Sequence, residues 1–133
     1  MRTIYFDTET TGLNPHTDRV VLFQYKVDDG PTTLIQNPDY AACHRILDSA
    51  DLIVAHNIHF DFGMLKYIPK SIDHFEDTLY LARIANFKEE RHGLDVVAAR
   101  VYGRDVYEGL DKKALQKTKW DVAELTPDQI KYA

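Results

Sequence analysis

Apolar residues in this chain fall in short runs divided by polar clusters, and the spacing predicts alternating strands and helices. Ile4-Tyr5-Phe6 completes a first strand at about residues 2–6, and Val20 to Val27, rich in β-branched and aromatic residues, predicts a second at about 19–27. Asp28-Asp29-Gly30-Pro31 is a turn signal, after which Thr32 to Ile35 reads as the third strand of an antiparallel meander. A helix is predicted at about 38–48 and a buried strand from Asp51 to Ala55. A helix at about 60–67 and a short strand near 72–75 follow, then helices at about 78–87, 92–102, 111–117 and from 127. The last opens on Thr126-Pro127-Asp128-Gln129: an N-cap threonine, a proline at the first helical position and the glutamine of a capping box. Strands first, then strands alternating with helices, predict an α/β fold with a mixed sheet flanked by helices.

The acids placed on this pattern carry the chemistry. Asp7 and Glu9 follow the first apolar run, and Asp61 follows the run Leu52-Ile53-Val54-Ala55. Strand side chains alternate between faces, so Asp7 and Glu9 project from the same side of the sheet about 7 Å apart along the chain. An aspartate at a strand end also serves as a turn former or a helix N-cap, and each acid alone permits that reading. The joint pattern argues for more: D-x-E-T-T-G-L, then N-x-x-x-D about fifty residues on, each directly after a strand-like run. Three oxygen donors without Cys or an obligatory His suit Mg²⁺ or Mn²⁺, not zinc. Two such ions roughly 3.5–4 Å apart clamp the attacking and leaving oxygens of an in-line phosphoryl displacement. His56 and His59 lie near Asp61, but no other Cys or His has the spacing that zinc needs. Asp77, before the run Leu79 to Ile84, reads as an N-cap.

Asp7-Thr8-Glu9-Thr10-Thr11-Gly12-Leu13 and Asn57-x-x-x-Asp61 resemble the first two motifs of the DEDD superfamily of 3′-5′ exonucleases, which includes polymerase proofreading domains and ribonuclease D. The stretch from Gly109 through Trp120 to Tyr132-Ala133 resembles the lead into Tyr-Ala-x-x-Asp, the third motif of the tyrosine subgroup. His92 does not supply the histidine form of that motif, because the position five residues on is Val97. The resemblance implies a ribonuclease H-like mixed five-stranded sheet, three antiparallel strands followed by parallel ones, flanked by helices. It implies two divalent cations, Mg²⁺ or Mn²⁺, held by Asp7, Glu9 and Asp61, with the Tyr132 phenol orienting the attacking water. It matches Thr10 to a position whose backbone meets the 3′ end and Leu13 to one that wedges against the terminal base, a leucine here being otherwise a core residue. Asn57 matches an asparagine near the substrate, with ordinary turn chemistry as the alternative. Phe60 can stack on a base or simply join the core.

The fourth carboxylate of the family pattern falls four positions after Tyr132, and the sequence stops at Ala133. The expectation is a single 3′-5′ exonuclease domain over residues 1–133, truncated within its third motif. The expected substrate is the 3′ end of single-stranded DNA, with the domain serving a phage or bacterial polymerase that follows in the same natural chain. A ribonuclease D-like enzyme acting on RNA is the second reading. A catalytically inactive single-strand-binding module is the reading from another class.

Composition refines this picture only modestly. With 44% hydrophobic and 28% charged residues, 133 residues suffice for one core and leave no room for a second domain. A single cysteine, Cys43, excludes an internal disulfide and suits a reducing compartment. No apolar run approaches the roughly eighteen residues of a membrane span, so a soluble cytoplasmic protein with no membrane partner is expected. The net charge of −5 runs against nucleic-acid binding, but cations bound at the acids would offset part of it. Four lysines and no acid stand between Lys112 and Lys119, either to meet phosphates or to form a solvated helix face.

Overall fold

The meander read from the sequence forms one side of a five-stranded sheet. In the computed structural model, which describes residues 1–86, 91–103 and 126–127, β1 runs Thr3–Thr10, β2 Val20–Val27 and β3 Thr32–Gln36. Helix α1, Tyr40–Asp48, leads to β4, Leu52–Ala55, and α2, Ile58–Leu65. A 3₁₀ turn at Ile72–His74 precedes β5, Phe75–Asp77, then α3, Thr78–Ala85, and α4, Leu94–Tyr102. The strand order is β3-β2-β1-β4-β5. β1 pairs antiparallel with β2 and β2 with β3, whereas β4 runs parallel to both β1 and β5. This is the mixed ribonuclease H-like sheet that the sequence predicted.

Three differences from the sequence expectation bear on the site. β1 continues to Thr10 instead of ending near Phe6, because its ladder with β2 carries on through Asp7↔Gln24, Thr8↔Phe23 and Glu9↔Leu22. Helix α2 begins two residues earlier, at Ile58, because Asn57 adopts a left-handed conformation (φ 65°) and turns the chain at once. β5 lies at 75–77 because its partners on β4 are Ile53, Val54 and Ala55, which leaves 72–74 to the 3₁₀ turn. The predicted helix at 111–117 and nearly all of the one from 127 fall outside the described residues.

Alternation along β1 divides the two faces of the sheet. Ile4, Phe6 and Thr8 are buried, while Tyr5 and Asp7 are exposed and Glu9 is half-buried on the opposite side. The buried face joins Phe23, Cys43, Leu47, Ile53, Ile58, Phe62 and Leu65 in one core. Cys43 is buried on α1, as a small apolar residue would be. Each fully enclosed side chain of this kind contributes about 1.5–3 kcal/mol. Asp39 caps α1 by accepting the Ala41 amide at 3.1 Å. No helix among the described residues is long and apolar enough to cross a membrane.

Candidate active site

The geometry of the site begins with how far β4 accompanies β1. Their parallel pairing covers only Thr3–Tyr5 against Leu52–Val54. β4 ends at Ala55 and turns into α2, so the β1 edge from Asp7 onward has no strand partner there among the described residues. Open α/β sheets offer ligand sites at such carboxyl ends, where the strand order changes sense. Asp61, in the first turn of α2, enters this gap and accepts a hydrogen bond from Thr8 Oγ1 at 2.5 Å. It is 2% exposed. Asp61 is therefore set by a helix that starts at Ile58 after the turn at Asn57, not by the end of β4 itself.

On the far side of β1, Gln24 Nε2 donates to Asp7 Oδ2 at 2.9 Å. A shallow groove of about 260 Å³, bordered by Tyr5, Asp7, Gln24, Lys26 and Thr32, runs beside this pair. The ladder between β1 and β2 shifts register between Glu9 and Thr10, an irregularity of the sort that re-aims side chains next to active sites.

The three acids perturb one another. Burial is the main cause that pushes Glu9 up to about 8, and the charges of Asp7 and Asp61 add to it. Asp61 is raised by burial and then by Asp7, against the opposing hydroxyl of Thr8. Asp7 is raised by the protein packed around it, and the Thr8 amide and Gln24 side chain pull the other way. Asp7 keeps an exposed surface toward the groove.

This electrostatic conflict and the all-oxygen donor set are what a hard divalent cation would relieve. The acids do not form a closed shell, however: among the described residues no group of three or more His, Cys, Asp or Glu side chains is arranged to hold a metal ion. The donors fit such a cation in chemistry, and a complete coordination shell requires further ligands.

The candidate substrate residues divide clearly. Leu13 is 82% exposed, so it is not a core residue. Its loop is braced by Asp18, which accepts from Thr11 Oγ1 at 3.0 Å and from the Asn14 amide at 3.0 Å. A Cβ on Gly12 would meet the Asp18 carboxylate, which would have to shift to admit it. Thr10 is half-buried, and its hydroxyl donates to the Gly12 carbonyl at 2.7 Å. Asn57 is exposed and makes no side-chain cap bond, so its fold role is carried by its backbone. Phe60 is half-buried against the core. Tyr132, Trp120 and the lysines from 112 to 119 lie outside the described residues.

His56 and His59 are committed elsewhere. The His56 ring bridges Thr78 Oγ1 at 2.9 Å and the His92 carbonyl at 2.8 Å. His59 packs edge-on against Phe62, Phe75 and Tyr80.

Two residues have roles that sequence reasoning did not reach. Asp77 is the N-cap predicted for α3, accepting the Leu79 amide at 2.9 Å, but it also accepts the Asn57 amide at 2.8 Å and the Ile58 amide at 3.2 Å. It thus holds the turn that delivers Asp61. The cap is visible in the sequence, while the second role depends on β4 lying beside β5. Gln24 stands out only as a lone amide in an apolar run, and its pairing with Asp7 depends on strand register.

A mixed sheet of order β3-β2-β1-β4-β5 flanked by helices is of the ribonuclease H-like class. The sequence profile of the 3′-5′ exonuclease family matches residues 1–133, and the chain belongs to that family. No curated protein matches the chain in sequence. Among solved structures, Brucella melitensis NrnC bound to pGG is 23% identical with a TM-score of 0.76, covering 98% of this chain and 63% of that one. Escherichia coli RNase D, an exoribonuclease, is 22% identical with a TM-score of 0.71, covering 98% of this chain and 34% of that one. The family B DNA polymerase from Pyrobaculum calidifontis is 16% identical with a TM-score of 0.64, covering 98% of this chain and 22% of that one. The chain spans less than two thirds of the length of each, and at these identities the likeness is one of fold.

Proposed function

We propose that this chain removes nucleotides from the 3′ end of single-stranded DNA in a divalent-cation-dependent reaction, as the proofreading domain of a phage or bacterial DNA polymerase. The reading rests on where three acids stand: Asp7 and Glu9 on β1 beyond its pairing with β4, and Asp61 in the first turn of α2, hydrogen-bonded to Thr8 of the same strand. Asp7, Glu9 and Asp61 would hold two cations, Mg²⁺ or Mn²⁺, and a related fold, NrnC, has been solved with bound Mg²⁺. Such ions supply an activated water and stabilise charge on the departing oxygen. Asp7 would hold them from β1 and Asp61 from α2, and Glu9 would contact a metal or the terminal 3′-hydroxyl. Tyr132, by resemblance, orients the nucleophile. Leu13, presented on its braced loop, packs against the terminal base, with Thr10 and Asn57 beside the strand end and Phe60 below it.

A second reading, action on RNA 3′ ends, is supported by the likeness in fold to RNase D, an exoribonuclease. Both readings share the chemistry and differ in the sugar recognised. The test is degradation of matched DNA and RNA strands in Mn²⁺ and in EDTA, by the wild type and Asp7→Ala. Turnover should require metal and vanish in a folded Asp7→Ala variant. Wild-type rates in that variant would defeat the assignment, and metal-independent strand binding without product would favour the inactive binding module.

A further inference from the structure

Gln24 is an anomaly in β2. It is 4% exposed, at the centre of a strand whose neighbours Val21, Leu22 and Phe23 are fully buried apolar residues. It lies directly across the ladder from Asp7, on the same face. Its Nε2 donates to Asp7 Oδ2 at 2.9 Å, yet its Oε1 is buried with no hydrogen-bond partner. Half-satisfied buried amides cost stability, and an apolar side chain of the same length would avoid the cost. Stability therefore does not account for an amide here. Direction does: beside the Thr8 amide that also bonds this carboxylate, the Gln24 donor holds Oδ2 toward β2 and so fixes the rotation of the group. Asp7 is also the acid most in need of such help, since it keeps an exposed surface while Asp61 is enclosed and held by Thr8.

We propose that Gln24 is a positioning residue that orients the Asp7 carboxylate toward the divalent cation. This rests on the reading of Asp7 as a metal ligand. Partners that hold a ligating side chain typically govern metal affinity or activity by about 10–100-fold. Gln24 does not touch substrate; it acts through Asp7.

The test uses the whole chain with Gln24→Met, which keeps length and removes both the donor and the orphaned acceptor. Gln24→Asn, which keeps the amide but withdraws it by one methylene, serves as a second variant. Mn²⁺ binding is followed by electron paramagnetic resonance without nucleic acid, and melting is followed in EDTA. The Mn²⁺ dependence of kcat and the KM are measured on single-stranded DNA. Expected for both variants are about 10–100-fold weaker Mn²⁺ binding and lower kcat at limiting Mn²⁺, with KM changed by less than about twofold. Gln24→Met should melt no lower than the wild type. Unchanged Mn²⁺ affinity and kcat, or a fall in melting temperature with Mn²⁺ affinity intact, would overturn the proposal and leave Gln24 as a packing residue. Asp7→Ala separates the two levels: if it binds Mn²⁺ like the wild type, the metal-ligand reading of Asp7 fails and this proposal fails with it.

Discussion

Removing the Asp77 carboxylate should unfasten the turn that places Asp61. Oδ1 accepts the amides of Asn57 at 2.8 Å and Leu79 at 2.9 Å, and Oδ2 accepts that of Ile58 at 3.2 Å. The residue is 5% exposed, so water cannot simply replace it. In Asp77→Ala three backbone donors lose their acceptor. Each unsatisfied buried donor costs about 1–3 kcal/mol. The Asn57 and Leu79 amides are only partly buried, so about 1 kcal/mol each is appropriate, with about 1–3 for Ile58. The expected loss is thus about 3–5 kcal/mol, or about 12–20 °C in melting temperature for a chain of this size. Asp77→Asn, with its oxygen in the Oδ1 place, keeps two bonds and should lose only the Ile58 bond, about 1–3 kcal/mol. Urea unfolding in EDTA, followed by circular dichroism, measures both. A loss below about 1 kcal/mol for Asp77→Ala, or equal losses for both variants, would refute the reasoning.

Further predictions address the site itself. Glu9, raised to about 8, and the upward-shifted Asp7 and Asp61 bind more protons folded than unfolded between the ordinary carboxylate range and about pH 8. Stability in EDTA should therefore fall as pH rises through that window, and millimolar Mg²⁺ should raise the melting temperature more at the alkaline end than at the acid end; a pH-independent Mg²⁺ effect would contradict it. Leu13→Ala should leave the melting temperature within about 2 °C, because Leu13 is 82% exposed, while raising KM on single strands severalfold. Asn57→Gly should preserve the fold, since glycine takes φ 65° freely, whereas Asn57→Ala should cost about 1 kcal/mol. Lost activity in a stable Asn57→Gly variant would then report a side-chain contact with substrate.

The fold was readable where local chemistry decides it. The β-formers of Val20–Val27 and the turn at Asp28–Pro31 act through neighbours in sequence, and each appears close to its predicted place. Boundaries moved where distant partners decide: β1 is extended by Gln24, Phe23 and Leu22, and β5 is placed by β4. The same division holds at the site. The placement of Asp7 and Glu9 on one face of β1, and of Asp61 after a second strand, follows from the sequence pattern. The hydrogen bonds that set them do not, because Thr8 to Asp61 spans 53 residues and Gln24 to Asp7 depends on an antiparallel register. Leu13 was ambiguous between core and surface, since its exposure follows from the Asp18 brace beneath Gly12.

The most direct test of the account is a time course on single-stranded DNA labelled at its 5′ end, incubated with this chain and Mn²⁺. The account predicts labelled products that shorten one nucleotide at a time from full length, and none in EDTA. Early release of label as a mononucleotide, a scatter of internal cuts, or an intact strand under conditions where Mn²⁺ is bound would contradict it.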